Sequence, residues 1–207
     1  MSASARVEVL RAVTARRAVG GVVALSYGRG ISGVRYMNAQ TPFSSLALDV
    51  AATGAQQFAD GAVRGLARVG YRERRVDISG GTNVAQNPAL LPSESLRSVL
   101  LGASVEVPRL TKTVGLRLDV DLMPLAWLIQ TPGLEDGASS KSSSAHLRGA
   151  VRYQWKTHVA LEFGYDQDRV KTEFLGDAPG SMRAHGGAGT TRNDVTHTFS
   201  TALATAF

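Results

Sequence analysis

The sequence predicts an all-β protein whose long strands form one antiparallel, up-and-down array. Two observations predict this fold class. Apolar and polar residues alternate with a period of two along most of the chain, which is typical of strands with two different faces. Several alternating segments extend to about 9–11 residues, whereas strands in globular proteins average about 5–6. The strand length therefore argues against a compact sandwich.

The clearest predicted strand covers residues 114–122. Aliphatic side chains occupy its even-numbered positions, and between them lie Gly115, Arg117, Asp119 and Asp121. Further alternating segments lie at 46–51, 63–72, 98–107, 146–155, 159–166 and 195–207. The first strand has two interpretations, since a weaker alternation covers 5–13 and residues 19–27 could replace or extend it. The pattern therefore predicts about eight strands.

The connections between the strands alternate in length. Short turns are predicted at 59–61, 108–112 and 156–157. Long links rich in Gly, Ser, Asn and Pro are predicted at 76–93, 131–144 and 176–193, with solvated loop tips at 138–144 and 186–191. One end of the array is then closed by turns while the other carries loops, as in transmembrane barrels. A soluble sandwich has no reason to alternate so regularly.

Composition excludes several classes of protein. The 207-residue chain has no Cys, which removes disulfide frameworks, Cys-based zinc sites and thiol catalysis. Its 43% hydrophobic content is too high for a disordered chain. The longest apolar run, 122–129, is interrupted by Pro124 and is far shorter than the ~20 residues of a spanning helix. We expect residues 1–207 to form a single domain, as a mature form or the C-terminal part of a longer protein.

The last segment, 199–207, is an alternating strand that ends in the aromatic residue Phe207. With the strand and loop pattern over about residues 6–207, the chain resembles the small eight-stranded bacterial outer-membrane barrels of the OmpA/OmpX-like class. The resemblance implies a closed antiparallel transmembrane β-barrel in the Gram-negative cell envelope. It also implies that the barrel-assembly machinery reads Phe207 as an assembly signal. Thr205 departs from the apolar or aromatic residue that this family usually has two positions before the end.

In a barrel that spans a bilayer, the aliphatic face of each strand contacts lipid and the charged face lines the interior. The predicted interior carries charges of both signs on adjacent strands, so that they can pair. We call this set the interior charge network: Arg64, Arg68, Arg72, Glu106, Arg117, Asp119, Asp121, Arg148, Arg152, Glu162 and Asp166. An eight-stranded bore is just wide enough to be filled by such side chains, which argues against a free diffusion pore.

The alternative is a soluble antiparallel sheet, in which the aliphatic face would form the core and the charged face would contact water. Aromatic residues favour the membrane interpretation, because such belts mark both membrane interfaces. Phe58, Trp155 and Phe207 lie at the turn ends of their strands, and Tyr71, Trp127 and Tyr165 lie towards the loop ends. An even strand count would also place both chain termini on the same, periplasmic side.

We find no convincing motif for catalysis, a cofactor or a metal. The G-x-G-x-x-G match at 28–33 is followed by β-formers and Pro42 where dinucleotide binding requires a helix. His146, His158, His185 and His197 are scattered along the chain. His197 is close to Asp194 and Ser200 in sequence but points to the opposite face of its strand.

The sequence therefore predicts a non-enzymatic outer-membrane barrel with a structural, anchoring or surface-interaction role and a filled interior. The expected partners are membrane lipid, lipopolysaccharide, the barrel-assembly machinery during biogenesis, and a periplasmic or surface protein. The arginines of the segment 71–75 are expected to face lipopolysaccharide phosphates and not nucleic acid. A soluble lipocalin-like barrel for an apolar ligand is one alternative, and an outer-membrane enzyme or narrow channel is another.

Overall fold

The computed structural model describes residues 2–31, 42–78, 93–131, 139–156, 159–175 and 190–205. These residues form nine β-strands and one turn of 3-10 helix at Ala59–Gly61. The strands are β1 (Ser2–Thr14), β2 (Arg17–Ile31), β3 (Pro42–Phe58), β4 (Val63–Ile78), β5 (Ser93–Val107), β6 (Val114–Thr131), β7 (Ser139–Lys156), β8 (Val159–Leu175) and β9 (Thr190–Thr205). No helix in these ranges is long and apolar enough to cross a membrane.

The nine strands form one sheet in sequence order, and every neighbouring pair is antiparallel. The prediction of an all-β, antiparallel, up-and-down array is therefore confirmed. Within the described ranges, the sheet begins at β1 and ends at β9, and no hydrogen-bonded ladder joins these two strands.

The predicted count of about eight strands was too low by one. Both candidates for the first strand are strands, since residues 5–13 lie in β1 and residues 19–27 lie in β2. Arg11 breaks the alternation in β1, but the strand forms because it pairs with β2 over almost its whole length. With nine antiparallel strands, Ser2 lies at the end of the sheet that carries the long links and Thr205 lies at the opposite end. The expectation that both termini share one side fails for this reason.

The end that carries the short connections is called the turn end, and the opposite end is called the link end. The predicted turn at 59–61 is confirmed, with Ala59 and Asp60 at φ of 47° and 52° and Gly61 at 90°. Arg16 of the turn between β1 and β2 lies beside this turn, and its guanidinium is 3.1 Å from Asp60 Oδ1. The predicted turn at 156–157 lies partly outside the described residues.

The Ser-rich segment 138–144 was predicted as a loop tip, but residues from Ser139 onward belong to β7. Ser142 and Ser144 are buried, and the Ser142 hydroxyl is 2.9 Å from the Thr172 hydroxyl of β8. A buried hydroxyl loses its hydrogen bond to water, and here each of the two hydroxyls has the other as its partner. A serine-rich run can therefore continue a strand whose inner face is polar. The Gly-rich tip at 186–191 lies mostly outside the described residues, although Thr190 and Thr191 belong to β9.

One face of the sheet is polar and buried, and the other is apolar and exposed. On β6, Asp119 is only 2% exposed, whereas its neighbour Leu118 is 51% exposed. On β9, Leu203 is 63% exposed. This is the reverse of an ordinary globular sheet, in which the apolar face forms the core.

The sheet curls around its polar face. Glu8 of β1 lies 3.7 Å from Arg117 of β6, and Glu94 of β5 lies 2.6 Å from Arg192 of β9. In a flat sheet, strands four and five positions apart are separated by about 19 and about 24 Å, since neighbours lie about 4.8 Å apart. The polar face is therefore concave and encloses a shared interior.

Two glycines permit this curvature. Gly20 and Gly70 pair with the buried residues Thr53 and Ala51 and thus point into the interior. A Cβ atom at either position would overlap the carbonyl oxygen of the neighbouring strand, that of Val9 or of Val50. Only glycine allows so close an approach of two backbones on the concave side.

Strand β6 contains a bulge at Pro124 and Leu125. Between the pairs Ser98–Ala126 and Leu101–Leu122, β6 contributes one residue more than β5. The extra residue leaves both Pro124 and Leu125 exposed and changes the phase of the alternation, because two consecutive residues then face outward. A proline is compatible with a bulge, where it interrupts no regular ladder hydrogen bond. This explains why the apolar run around Pro124 continues as a strand to Thr131.

Candidate functional site

The convex face carries an apolar band that begins at the turn end and differs in length from strand to strand. On β4 it runs from Val63 to Tyr71, and on β5 from Val107 to Val99. Nine residues per strand agree with the ~9–11 residues that a tilted strand needs to cross a bilayer. Exposed members of the band include Val23, Leu25, Val50, Val69, Leu101, Val105, Leu116, Leu118, Leu122, Val151, Phe163 and Leu203.

Exposed aromatic side chains border this band at both ends. Tyr71 of β4 and Trp127 of β6 are exposed near its link-end border, and the half-buried Tyr165 ends the run of apolar outward residues on β8. Phe58 and Trp155 lie at the turn end and are both more than half exposed. The positions of Phe58, Trp155 and Trp127 agree with the sequence prediction. Tyr71 lies near the middle of β4 and Tyr165 lies in the half of β8 nearer the turn end, so these two are not at the loop ends as predicted. Phe207 lies outside the described residues.

Beyond the aromatic border, the convex face becomes charged. Glu73 of β4 lies between Arg75 of the same strand and Arg97 of β5. Its carboxylate is 3.7 and 3.4 Å from their guanidinium nitrogens. On β7 and β8, the exposed charged residues that follow the outward apolar residues towards the link end are Lys141, Arg169 and Lys171. We call this charged zone at the link end the rim.

Arg68 is at the centre of the concave face. Its guanidinium lies 3.1 Å from Asp119 and 2.7 Å from Asp121, and its side chain is only 4% exposed. Asp119 also accepts a hydrogen bond from Ser104 at 2.5 Å and one from Arg117 at 2.9 Å. Buried carboxylates of this kind are tolerated only when each is paired and hydrogen-bonded.

Towards the link end, the interior charges continue in a second group. Arg72 donates two hydrogen bonds to Asp49, at 2.6 and 2.7 Å, and lies 3.3 Å from Asp121. His146 lies between two carboxylates, with its ring nitrogens 2.9 Å from Asp168 and 3.4 Å from Asp166. The contacts of Arg72 join β3, β4 and β6, and those of His146 join β7 and β8.

Towards the turn end, Arg64 pairs with Glu106 at 3.5 Å, and Arg148 pairs with Glu162 at 2.6 Å. A cavity of about 30 Å³ lies beside Glu106, Arg117 and Arg152, which is space for about one water molecule. Arg152 Nε is buried there without a hydrogen-bond partner among the described residues. Of the interior charge network, Arg152 alone is in no ion pair with another described residue.

Near the link end, an apolar layer closes the interior. Leu96 and Ala126 pack on Val170, while Leu100 packs on Val22 and Ala51. Met123 and Phe174 are also buried, at 1% and 4% exposure. Among the described residues, side chains thus extend into the interior at both the charged and the apolar levels.

The structure places in this interior several residues outside the predicted interior charge network. Glu8, Asp49 and His146 pair with predicted members of the network, and Asp168 pairs with His146. Each lies in phase with the polar face of its strand, which is the signal in the sequence. Glu94 and Arg192 lie nearer the link end, beyond the alternating segments at 98–107 and 195–207.

The structure brings no catalytic arrangement together around His197. Its imidazole lies on the convex face, 2.7 Å from the Tyr165 hydroxyl and stacked on that ring. Ser200 lies beside Gly164 on the concave face, and Asp194 lies 2.8 Å from Arg192. In the part of the chain that is described, no three His, Asp or Glu side chains are grouped as metal ligands would be. Residues 28–31 of the G-x-G-x-x-G match continue β2.

No protein-family model matches this chain, and no curated protein matches it either. The resemblance to the OmpA/OmpX-like class thus stays a prediction made from the pattern of residues. The assembly signal at Phe207 stays a prediction too, since that residue lies outside the described ranges.

Proposed function

We propose that this protein is an integral β-barrel of the Gram-negative outer membrane with a structural, anchoring or surface-interaction role and a filled interior. One observation carries the proposal: charged side chains are buried on the concave face while aliphatic side chains are exposed on the convex face. In water this distribution would expose apolar side chains on every strand, far more than the few hundred Å² of a usual surface patch. In a bilayer the same band contacts hydrocarbon.

The proposal requires the sheet to close. Unpaired N–H and C=O groups in hydrocarbon cost several kcal/mol each, so neither β1 nor β9 can keep a free edge there. Because nine is an odd number, β1 and β9 run in the same direction, and the closing pair is parallel. The cross-interior pairs Glu8–Arg117 and Glu94–Arg192 support this closure, since they draw both edge strands around the interior.

Two other functions are less well supported by the same contacts. A lipocalin-like barrel for an apolar ligand would have an apolar interior cavity. Here the interior holds Arg68 between two carboxylates, and the cavity beside Arg152 accommodates about one water. A conducting channel would need an open path, whereas Met123 and Leu100 are packed across the interior.

Refolding into lipid vesicles tests the proposal directly. We expect the inserted protein to resist unfolding in cold detergent, so that it migrates differently on a gel before and after boiling. We also expect it to give no large, stable conductance in planar bilayers, because its interior is filled. Purification as a monomer from the soluble fraction without detergent would overturn the membrane assignment, and a stable conductance would overturn the filled interior.

A further inference from the structure

Basic charge is unevenly distributed around the rim. On β4 and β5, Glu73 lies between Arg75 and Arg97, and Asp77 adds a second acid. This sector has two basic and two acidic residues and is therefore neutral.

The sector on β7 and β8 is different. Lys141, Arg169 and Lys171 are all exposed there, and the acidic side chain among them is Glu173. Glu173 accepts a hydrogen bond from Lys171 at 2.6 Å and pairs across the strands with Lys141. Arg169 pairs across the strands with Ala145 and Val195, so no acid lies opposite it. Three bases and one acid give this sector a net charge of +2. We call it the basic sector.

The neighbouring strands add no acidic residue to the outer face here. Beyond the bulge of β6, the outward residues Trp127 and Ile129 are uncharged. On β9, Lys171 faces Asn193, which is also uncharged. Like charges on adjacent positions of two strands are destabilising unless a counter-charge is supplied. Among the described residues, the basic sector therefore keeps a net positive charge that an external anion can neutralise.

We propose that the basic sector binds the phosphate groups of anionic membrane lipid headgroups. The inference rests on the proposed function, because it needs the apolar band to lie in the bilayer. Tyr165 borders that band on β8, and Arg169 and Lys171 follow it by four and six residues along the strand. The basic side chains thus lie at the level of the headgroups, where long Lys and Arg side chains can extend to phosphate. The phosphate groups at this level of a membrane belong to lipids, so the expected ligand is a lipid phosphate and not free inorganic phosphate.

The test measures binding of a fluorescent bisphosphorylated diglucosamine lipid to the full chain in phosphatidylcholine nanodiscs. We expect the triple variant Lys141→Gln, Arg169→Gln, Lys171→Gln to bind at least about tenfold more weakly than the wild type. The matched control, Arg75→Gln with Arg97→Gln, removes two rim charges from the neutral sector and should change binding less than about twofold. Glu173→Gln should strengthen binding, because it removes the competing acid. Each variant is first checked for the gel shift of the inserted protein.

Three results would overturn the inference. One is equal binding by the triple variant and the wild type, and another is an equal loss in the control. The third is competition by inorganic phosphate at the same concentration as the lipid, which would assign the sector to free anions. A wild-type protein that does not insert would overturn the proposed function as well. An inserted protein with unchanged binding would overturn only the lipid site.

Discussion

Arg68 illustrates how a charged residue is stabilised inside this sheet. Its two terminal nitrogens contact Asp119 and Asp121, which are supplied by a strand two positions away. Gly102, on the strand between them, leaves the space for these contacts, since a Cβ there would overlap Asp121 and lie 2.9 Å from Arg68 Nε. The guanidinium is planar and always charged, so it can hold two carboxylates at once. Lysine could not replace it in this geometry.

We expect Arg68→Met to lower the free energy of unfolding by about 3 kcal/mol, because two buried carboxylates each lose one of their partners. Urea unfolding of vesicle-inserted protein measures the change. The control is Arg16→Met, which breaks the exposed pair with Asp60 and should have a barely measurable effect. Similar small losses in both variants would contradict a stabilising role for the interior ion pairs.

At the scale of single residues, the sequence predicted which face each charge occupies but not its partner. Alternation assigned Arg72 and Asp121 to the polar face, and both are there. Their contact, however, joins strands two positions apart and depends on the register and curvature of the sheet. The contacts of His146 with two carboxylates of the neighbouring strand β8 likewise depend on the register.

At the scale of the strand, curvature depends on where glycine faces inward. Gly70 lies where the backbones of β3 and β4 approach on the concave side. Gly149 lies on the convex face between Leu118 and Tyr165, and a Cβ there would meet nothing within 4 Å. The two glycines therefore have different physical roles although both lie inside long strands.

Gly70→Ala should destabilise the protein by about 1–3 kcal/mol and lower the refolded fraction, because the backbones must separate. Gly149→Ala should be neutral or slightly stabilising, since alanine restricts the unfolded chain and fits the open space. The refolded fraction is read from the gel shift. Equal yields for the two variants would count against the glycine-dependent curvature.

The apolar band is also a property of individual strands. A single substitution within it distinguishes a strand that spans a bilayer from a strand that faces water. Leu118→Arg, in the band, should cost about 2–4 kcal/mol if the strand spans a membrane. Leu110→Arg, in the short turn between β5 and β6, should cost little because that turn lies outside the band. Both leucines are more than half exposed, at 51% and 57%. In a soluble protein both substitutions would therefore be nearly neutral, and that result would contradict the membrane proposal.

At the scale of the whole molecule, the parity of the strands decides how the sheet can close. Nine antiparallel strands leave β1 and β9 parallel, whereas the eight strands β2 to β9 would leave β2 and β9 antiparallel. Because β1 pairs with β2 over residues 2–14, β1 belongs to the sheet. Only closure between β1 and β9 then includes all nine strands.

Disulfide trapping distinguishes the two closures, and the absence of native cysteine makes it clean. We expect Val7→Cys of β1 to form an intramolecular disulfide with a cysteine at Phe199, Thr201 or Leu203 of β9, since paired strands bring Cα atoms to about 5–6 Å. Val23→Cys of β2, tested with the same β9 positions, is the control and should not cross-link. Cross-linking from β2 in place of β1 would indicate an eight-stranded barrel with β1 outside it.

The sequence by itself determined the fold class, the faces of the strands and the polar character of one face, because side chains alternate strictly along a strand. It could not determine the number of strands, since the weak alternation of residues 5–13 becomes a strand only through its pairing with β2. It also could not tell an apolar core from an apolar exterior, because both give the same alternation. The tertiary structure decided that point: the sheet curls towards Arg68 and Asp119 and leaves Leu118 outside.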